Sequence, residues 1–231
     1  MLLNLNKLCG HKLSATDGSI GKIKDFYFDD KTWAIRYLVA DTGSWLSGRE
    51  VLLSPYSFGR FDTENETLHL NLTKKQIENS PSIDAHRPVS RQYEENYYNY
   101  YGWPTYWEGG QVWGMGEYPT FVPSSRAYTY KSYDYPTWDD IHLRSIKSVT
   151  GHSINAADGD IGKVSGFLAD QKKWTIRELA VETGHWYSGK EILITPAKIQ
   201  SINYPESKVF VSLTKGEIER TPEHAVAHSS F

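Results

Sequence analysis

Thr42-Gly43-Ser44-Trp45-Leu46-Ser47-Gly48-Arg49-Glu50-Val51-Leu52-Leu53-Ser54-Pro55 returns as Thr183-Gly184-His185-Trp186-Tyr187-Ser188-Gly189-Lys190-Glu191-Ile192-Leu193-Ile194-Thr195-Pro196. A single offset of 141 residues aligns the two stretches without a gap, and it holds well beyond them. Gly10-His11 matches Gly151-His152, and Asp17-Gly18 matches Asp158-Gly159. Ile20-Gly21-Lys22 matches Ile161-Gly162-Lys163, and Trp33-Ala34-Ile35-Arg36 matches Trp174-Thr175-Ile176-Arg177. Pro81 and Pro222 close the two copies. A repeat of this length fixes the organisation before propensities are consulted. It gives a first module at residues 1–81, an unrepeated segment at 82–140 and a second module at 141–231.

Each module reads as β structure. Asp-Gly at 17–18 and 158–159 is a turn dipeptide, because glycine supplies a positive φ and Asp accepts local backbone hydrogen bonds. Extended stretches follow at Ile20–Asp29 and Ile161–Asp170, then at Trp33–Asp41 and Trp174–Glu182. Their Ile, Val, Leu and aromatic content, bounded by glycine and polar residues, marks strands of a hairpin. Val51–Leu53 and Ile192–Ile194 form the next strand, which Pro55 and Pro196 end by removing an amide donor. Leu68, Leu70 and Leu72, like Val209, Val211 and Leu213, alternate as in a half-buried strand. Thr73 and Thr214 then cap short helices that begin at the following lysine. Glu217 stands at capping-box spacing from Thr214. Five or six short strands and one helical turn cannot cover both faces of an open sheet, so closure into a small barrel is expected. The expected class is all-β: two small barrels with short C-terminal helical turns.

The run Gly-x-x-(Leu/Ile), Asp-Gly-x-Ile-Gly-Lys, Trp-x-Ile-Arg-x-Leu and Thr-Gly-x-Trp-x-Ser-Gly-(Arg/Lys)-Glu resembles the PRC-barrel family, in both copies. That family includes the barrel of the photosynthetic reaction-centre H subunit and the C-terminal domain of the ribosome maturation factor RimM. The chain lacks the membrane helix of the former and the separate N-terminal domain of the latter. It is most similar to tandem, uncharacterised bacterial members. The resemblance implies a docking module and carries no catalytic residues with it.

Composition narrows the partners. The net charge is -3, and the acidic excess sits in the middle segment, where 4 basic face 8 acidic residues. This balance argues against nucleic acid, which requires compensating cations. Cys9 is the single cysteine, which excludes an intrachain disulfide and fits a reducing cytoplasm. No apolar run is long enough to span a bilayer, and the start lacks the form of a signal peptide. The expected partner is another protein, with no membrane insertion, and a homo-oligomer is compatible with the sequence.

The middle segment holds 11 of the 16 tyrosines and 4 of the 8 tryptophans. Gly109, Gly110, Gly114, Gly116, Pro119, Pro123 and Pro136 argue against regular structure there. Rings in such number either pack on the barrels or form a binding platform. Burial of Tyr97–Trp107 would favour packing, and three or more rings on one open face would favour a platform. Replacing Trp103 and Trp107 by Ala tests the packing reading through melting temperature and solution scattering.

Few constellations offer chemistry. Trp45 with Arg49, and Trp186 with Lys190, place a ring beside a cation, although a tight turn explains both. His185 replaces Ser44 beside Trp186 and could make a pH-sensitive contact. The candidate docking set is therefore Trp45, Arg49, Tyr97, Tyr101, Trp103, Trp107, His185, Trp186 and Lys190. Arg36 and Arg177 suggest surface ion pairs with Asp29 or Asp41, and with Asp170 or Glu182. Asp17, Asp29 and Asp30 lack calcium-loop spacing, and His224 with His228 lacks a third zinc ligand, so no metal or cofactor is expected. Ser47 and Ser188 have no identifiable base, and no phosphate-binding or dinucleotide fingerprint is present. The expectation is a non-enzymatic adaptor that binds a macromolecule through barrel surfaces and the aromatic segment. The alternative is a small-ligand or sensory module with a pocket between the barrels.

Overall fold

The computed structural model describes residues 1–81, 89, 91–120, 143–184, 187 and 189–220. It begins with strand β1 (Leu2–Asn4) and the helical turn α1 (Leu5–Leu8). The first repeat then runs β2 (Lys12–Ala15), β3 (Gly18–Asp29), β4 (Ile35–Asp41), β5 (Glu50–Leu53), β6 (Phe58–Asp62), β7 (Thr67–Leu70) and helix α2 (Lys74–Glu78). The sheet order is β5-β4-β3-β2-β7-β6. Antiparallel hairpins build most of it, but β2 and β7 run parallel, with Leu13 beside Leu68. Leu13, Ile20, Ile23, Phe26, Leu38, Leu53 and Leu68 form the core, each at most 3 % exposed.

Helix α3 (Arg91–Tyr101) follows in the aromatic segment, then strand β8 (Leu143–Ser145) and the turn α4 (Ile146–Val149). The second repeat runs β9 (Ser153–Ala156), β10 (Gly159–Asp170), β11 (Thr175–Thr183), β12 (Glu191–Ile194), β13 (Ile199–Asn203), β14 (Lys208–Val211) and α5 (Lys215–Arg220). Its order, β12-β11-β10-β9-β14-β13, reproduces the first strand for strand. The all-β class and the barrel-like units are therefore as read from the sequence.

The repeated residues earn their positions locally. Gly21 and Gly162 have φ of 132° and 147°, and a Cβ there would come within 2.0 Å and 2.1 Å of the carbonyl oxygens of Asp41 and Glu182. Only glycine tolerates that approach and that conformation. Asp17 and Asp158 do more than turn the chain: each accepts a hydrogen bond from the first helical amide of its repeat, Lys74 (2.7 Å) and Lys215 (2.9 Å). The Asp-Gly turn thereby pins the C-terminal helix, where the amides lack intrahelical acceptors. Both helices carry a full capping box, Thr73 with Gln76 and Thr214 with Glu217. Glutamine in the first repeat serves as well as glutamate in the second.

The molecule divides into two compact units whose membership departs from the linear order. One comprises Met1–Lys7, Ser145–Gln171 and Thr175–Phe231; the other comprises Leu8–Arg144 and Lys172–Trp174. β1 pairs with β10, so the N-terminal strand belongs to the unit of the second repeat. β8 pairs with β3, and Leu143 and Arg144 belong to the unit of the first. The aromatic segment also departs from its expectation of irregularity. No glycine or proline falls within residues 91–101, which form an uninterrupted helix. The tyrosines there are mediocre helix formers, so burial rather than propensity stabilises it.

Candidate functional site

The structure resolves the question of platform against packing for the described rings. Tyr97 and Tyr98 are wholly buried, and Tyr101, Trp103 and Tyr106 are 4–6 % exposed. All sit in the first-repeat unit. Tyr97 bridges the backbone at the end of β5: its hydroxyl donates to the Leu52 carbonyl (3.0 Å) and accepts from the amide of Ser54, just beyond the strand (3.0 Å). Trp103 stacks on Tyr101 with centroids 4.4 Å apart and on Tyr56 at 5.9 Å. Trp113 meets Tyr56 edge-on at 5.4 Å, and its indole donates to the Lys173 carbonyl (2.7 Å). Large rings with few rotors bury area at low entropic cost, and each such pair contributes about 0.5–1.5 kcal/mol beyond that area. Burial pushes the Tyr56 hydroxyl up to about 12 and those of Tyr37 and Tyr97 well above the usual phenol range. These groups stay neutral and serve as fixed hydrogen-bond partners.

Two charged groups lie inside this aromatic shell. Glu94 is fully buried; it accepts from the hydroxyls of Tyr37 (2.9 Å) and Tyr106 (2.7 Å) and pairs with Arg91 (2.9 Å). Arg36 is 2 % exposed and pairs with Asp29 at 3.3 Å. Its guanidinium lies 3.7 Å from the Tyr106 ring centroid and 5.0 Å from that of Trp113, and it donates to the Val112 carbonyl at 2.7 Å. The sequence reading put Arg36 in a surface ion pair; the pair with Asp29 exists, but the aromatic segment has removed it from water. A buried pair of this kind needs its extra hydrogen bonds and ring contacts to offset desolvation.

The nine candidate residues separate accordingly. Tyr97, Tyr101 and Trp103 are interior and offer no free face, so they leave the docking set. Trp107 is half-buried, with the Arg91 guanidinium 4.3 Å from its ring centroid. Trp45 is half-buried under the Lys74 ammonium at 4.7 Å. Arg49 donates to the Ile77 and Glu78 carbonyls (3.2 and 2.8 Å), which satisfies the C-terminal end of α2. Lys190 is exposed, with its ammonium 5.1 Å from the Tyr187 ring centroid. His185 and Trp186 lie outside the described residues, as do His224 and His228. Sequence reasoning missed Glu94, Tyr56, Tyr98, Tyr106 and Trp113. The available signal was the failure of the repeat at their contacts: Tyr37 aligns with Glu178, and Tyr56 with Ala197.

Residues 4–77 match the family model of the PRC-barrel domain. The first repeat is a PRC barrel. A Deinococcus radiodurans protein described as uncharacterized is 33 % identical over 73 residues, covering 32 % of this chain and 26 % of the relative. The chain thus spans about a quarter of the length of the relative it matches. At family level the PRC barrel suggests a binding or assembly module. The second repeat shares the strand order of the PRC barrel, whereas the family match covers residues 4–77.

Other chemistry is sparse. Among the described residues, no group of three or more His, Cys, Asp or Glu is placed to hold a metal ion. Among the same residues, no helix is long and apolar enough to cross a membrane. Asp29 accepts from the Lys31 and Thr32 amides, and Asp30 pairs with Arg144 (3.0 Å).

Proposed function

We propose that this protein is a non-enzymatic adaptor of the cytoplasm that docks a protein partner through barrel surface and the outer edge of the aromatic segment. The observation that carries the reading is the contrast within that segment. Its inner rings are consumed by the core, while Met115 is 88 % exposed and Tyr118 47 % exposed. Both sit on the short connection that Trp113 anchors, so two large apolar groups are presented on a fixed support. Partner anchors are commonly aromatic or methionine groups of this kind. The family assignment of the first repeat points the same way. Cys9 as the single cysteine supports a reducing compartment, and the net charge of -3 supports a protein rather than a nucleic acid as partner.

The test is affinity capture with the whole chain and with a Met115→Ser, Tyr118→Ser variant. Both are exposed, so the variant should melt with the parent. A protein captured by the parent and lost by the variant supports docking there. Equal capture by both would remove this edge from the interface.

A small-ligand reading with the ligand held within one unit, rather than between the barrels, has one supporting observation. The second-repeat unit has a recess of about 410 Å³ lined by Asp160, Lys163, Glu182 and Thr183. Its volume suits a small polar molecule. Thermal stabilisation by a metabolite panel, abolished by Lys163→Ala, would favour it over the adaptor reading.

A further inference from the structure

The N-terminal strand is remote in sequence from the rest of the unit it completes. The unit of the second repeat takes Met1–Lys7 from one end of the chain and everything else from Ser145 onward. Every anchor of this arm is supplied within residues 1–6. Leu2, Leu3 and Asn4 face Asp170, Ala169 and Leu168 in antiparallel register. The Met1 carbonyl accepts from the Gln171 amide (3.1 Å). The Asn6 side chain accepts from the Phe167 amide (3.1 Å) and donates to the Thr150 hydroxyl (3.0 Å). Leu3 and Leu5 bury their side chains to 6 % and 0 % exposure.

None of these contacts requires that arm and acceptor share a chain. The covalent link at Lys7–Leu8 only raises the local concentration of the arm. Removing the arm would expose the outer backbone edge of Leu168–Asp170, a template that invites another strand. The one strand that carries the matching register, the buried leucines and the Asn6 contacts is the arm of another copy. The same joint occurs twice in the fold. β8 lies 141 residues after β1 and pairs with β3, as β1 pairs with β10.

We infer that the chain forms strand-exchanged dimers, in which each copy lays its Met1–Lys7 arm against β10 of the other. Reciprocal exchange closes on itself and leaves no open edge, which gives a dimer rather than a filament. The intrachain arm competes at an effective concentration on the order of millimolar. The dimer is therefore minor in dilute solution and grows with concentration, above all when chains unfold and refold together.

The test uses the full chain with Cys9→Ser as background. One population carries Leu2→Cys and the other Asp170→Cys. A second pair carries Leu3→Cys and Ala169→Cys. Adjacent antiparallel pairs alternate between Cα separations of about 5.5 and 4.5 Å, so the two pairs sample both geometries. Each mixture is unfolded, refolded together at about 0.5 mM, near the expected effective concentration, and oxidised. The expected result is a reducible dimer that requires both cysteines, of twice the monomer mass by light scattering, and that increases severalfold with refolding concentration. A chain carrying both cysteines, refolded dilute, should close on itself. Disulfide formed only within the doubly substituted chain at every concentration would overturn the exchange. No disulfide in either arrangement would overturn the pairing on which the exchange rests.

Discussion

The surface around β4 and β5 in the first repeat and its counterpart around β11 and β12 share a backbone design and have opposite surroundings. Ser54, Pro55, Tyr56 and Ser57 are all buried; Thr195, Ala197 and Lys198 are exposed and Pro196 is half-buried. Arg36 is 2 % exposed between two rings, while Arg177 faces solvent. Tyr37 is buried against Glu94, and Glu178 takes its place in the second repeat. One barrel accepts the described rings between Tyr97 and Trp113 as a second layer of core, and the other carries side chains suited to water. The shared residues thus specify the barrel, and a few unshared ones decide which copy is covered. A domain of some 70 residues is near the lower limit of independent stability, and the added layer compensates for that in the first repeat.

The largest effect should come from removing a ring of that layer. Trp103→Ala deletes the stacking partner of Tyr101 and Tyr56 and leaves a cavity, and should cost about 3–5 kcal/mol in denaturant unfolding. A loss below about 1 kcal/mol would mean that the ring is dispensable and would dissolve the contrast between the copies. Next come the matched arginines. Arg36→Ala strands Asp29 in the interior and should cost about 3 kcal/mol, while Arg177→Ala should stay within about 0.5 kcal/mol. Equal costs would break the comparison at its most closely matched pair.

The smallest effect concerns the histidines His11 and His152. His11 lies 3.9 Å from Glu66 and 5.7 Å from the Phe61 ring centroid. His152 is buried, its Nε2 has no hydrogen-bond partner among the described residues, and burial shifts its pKa below the ordinary histidine value. The folded state therefore binds its proton less readily than the unfolded state. The resulting stability is present above the unfolded value of about 6.5 and is lost as pH falls through and below it. The unit of the second repeat should soften as pH drops from about 7 to 5, and His152→Gln should flatten that dependence. An unchanged slope in the variant would place the acid sensitivity elsewhere.

Much of this architecture could be read directly. The 141-residue offset, the Asp-Gly turns and the alternating leucines led to two like barrels, because each signal is local and occurs twice. Helix α3 was obscured by tyrosines, which read as platform or packing until burial decided. Arg49 read as half of a binding cluster, since nothing local to Trp45–Glu50 shows that α2 ends within its reach. The β1 and β8 strands were invisible for a different reason. Three residues carry no periodicity, and Leu2 pairs with Asp170, a partner no local pattern can supply.

Helix α3 and the rings that follow it belong to the core of the first unit. Native-state hydrogen exchange tests this directly, since amides in one cooperative unit exchange through the same opening. The amides of Tyr97, Tyr98 and Tyr101 in α3, together with the Ser54 amide held by the Tyr97 hydroxyl, should exchange as slowly as those of β4. Exchange of these amides at free-chain rates while β3 and β4 stay protected would show the segment to be a surface attachment and would contradict the account.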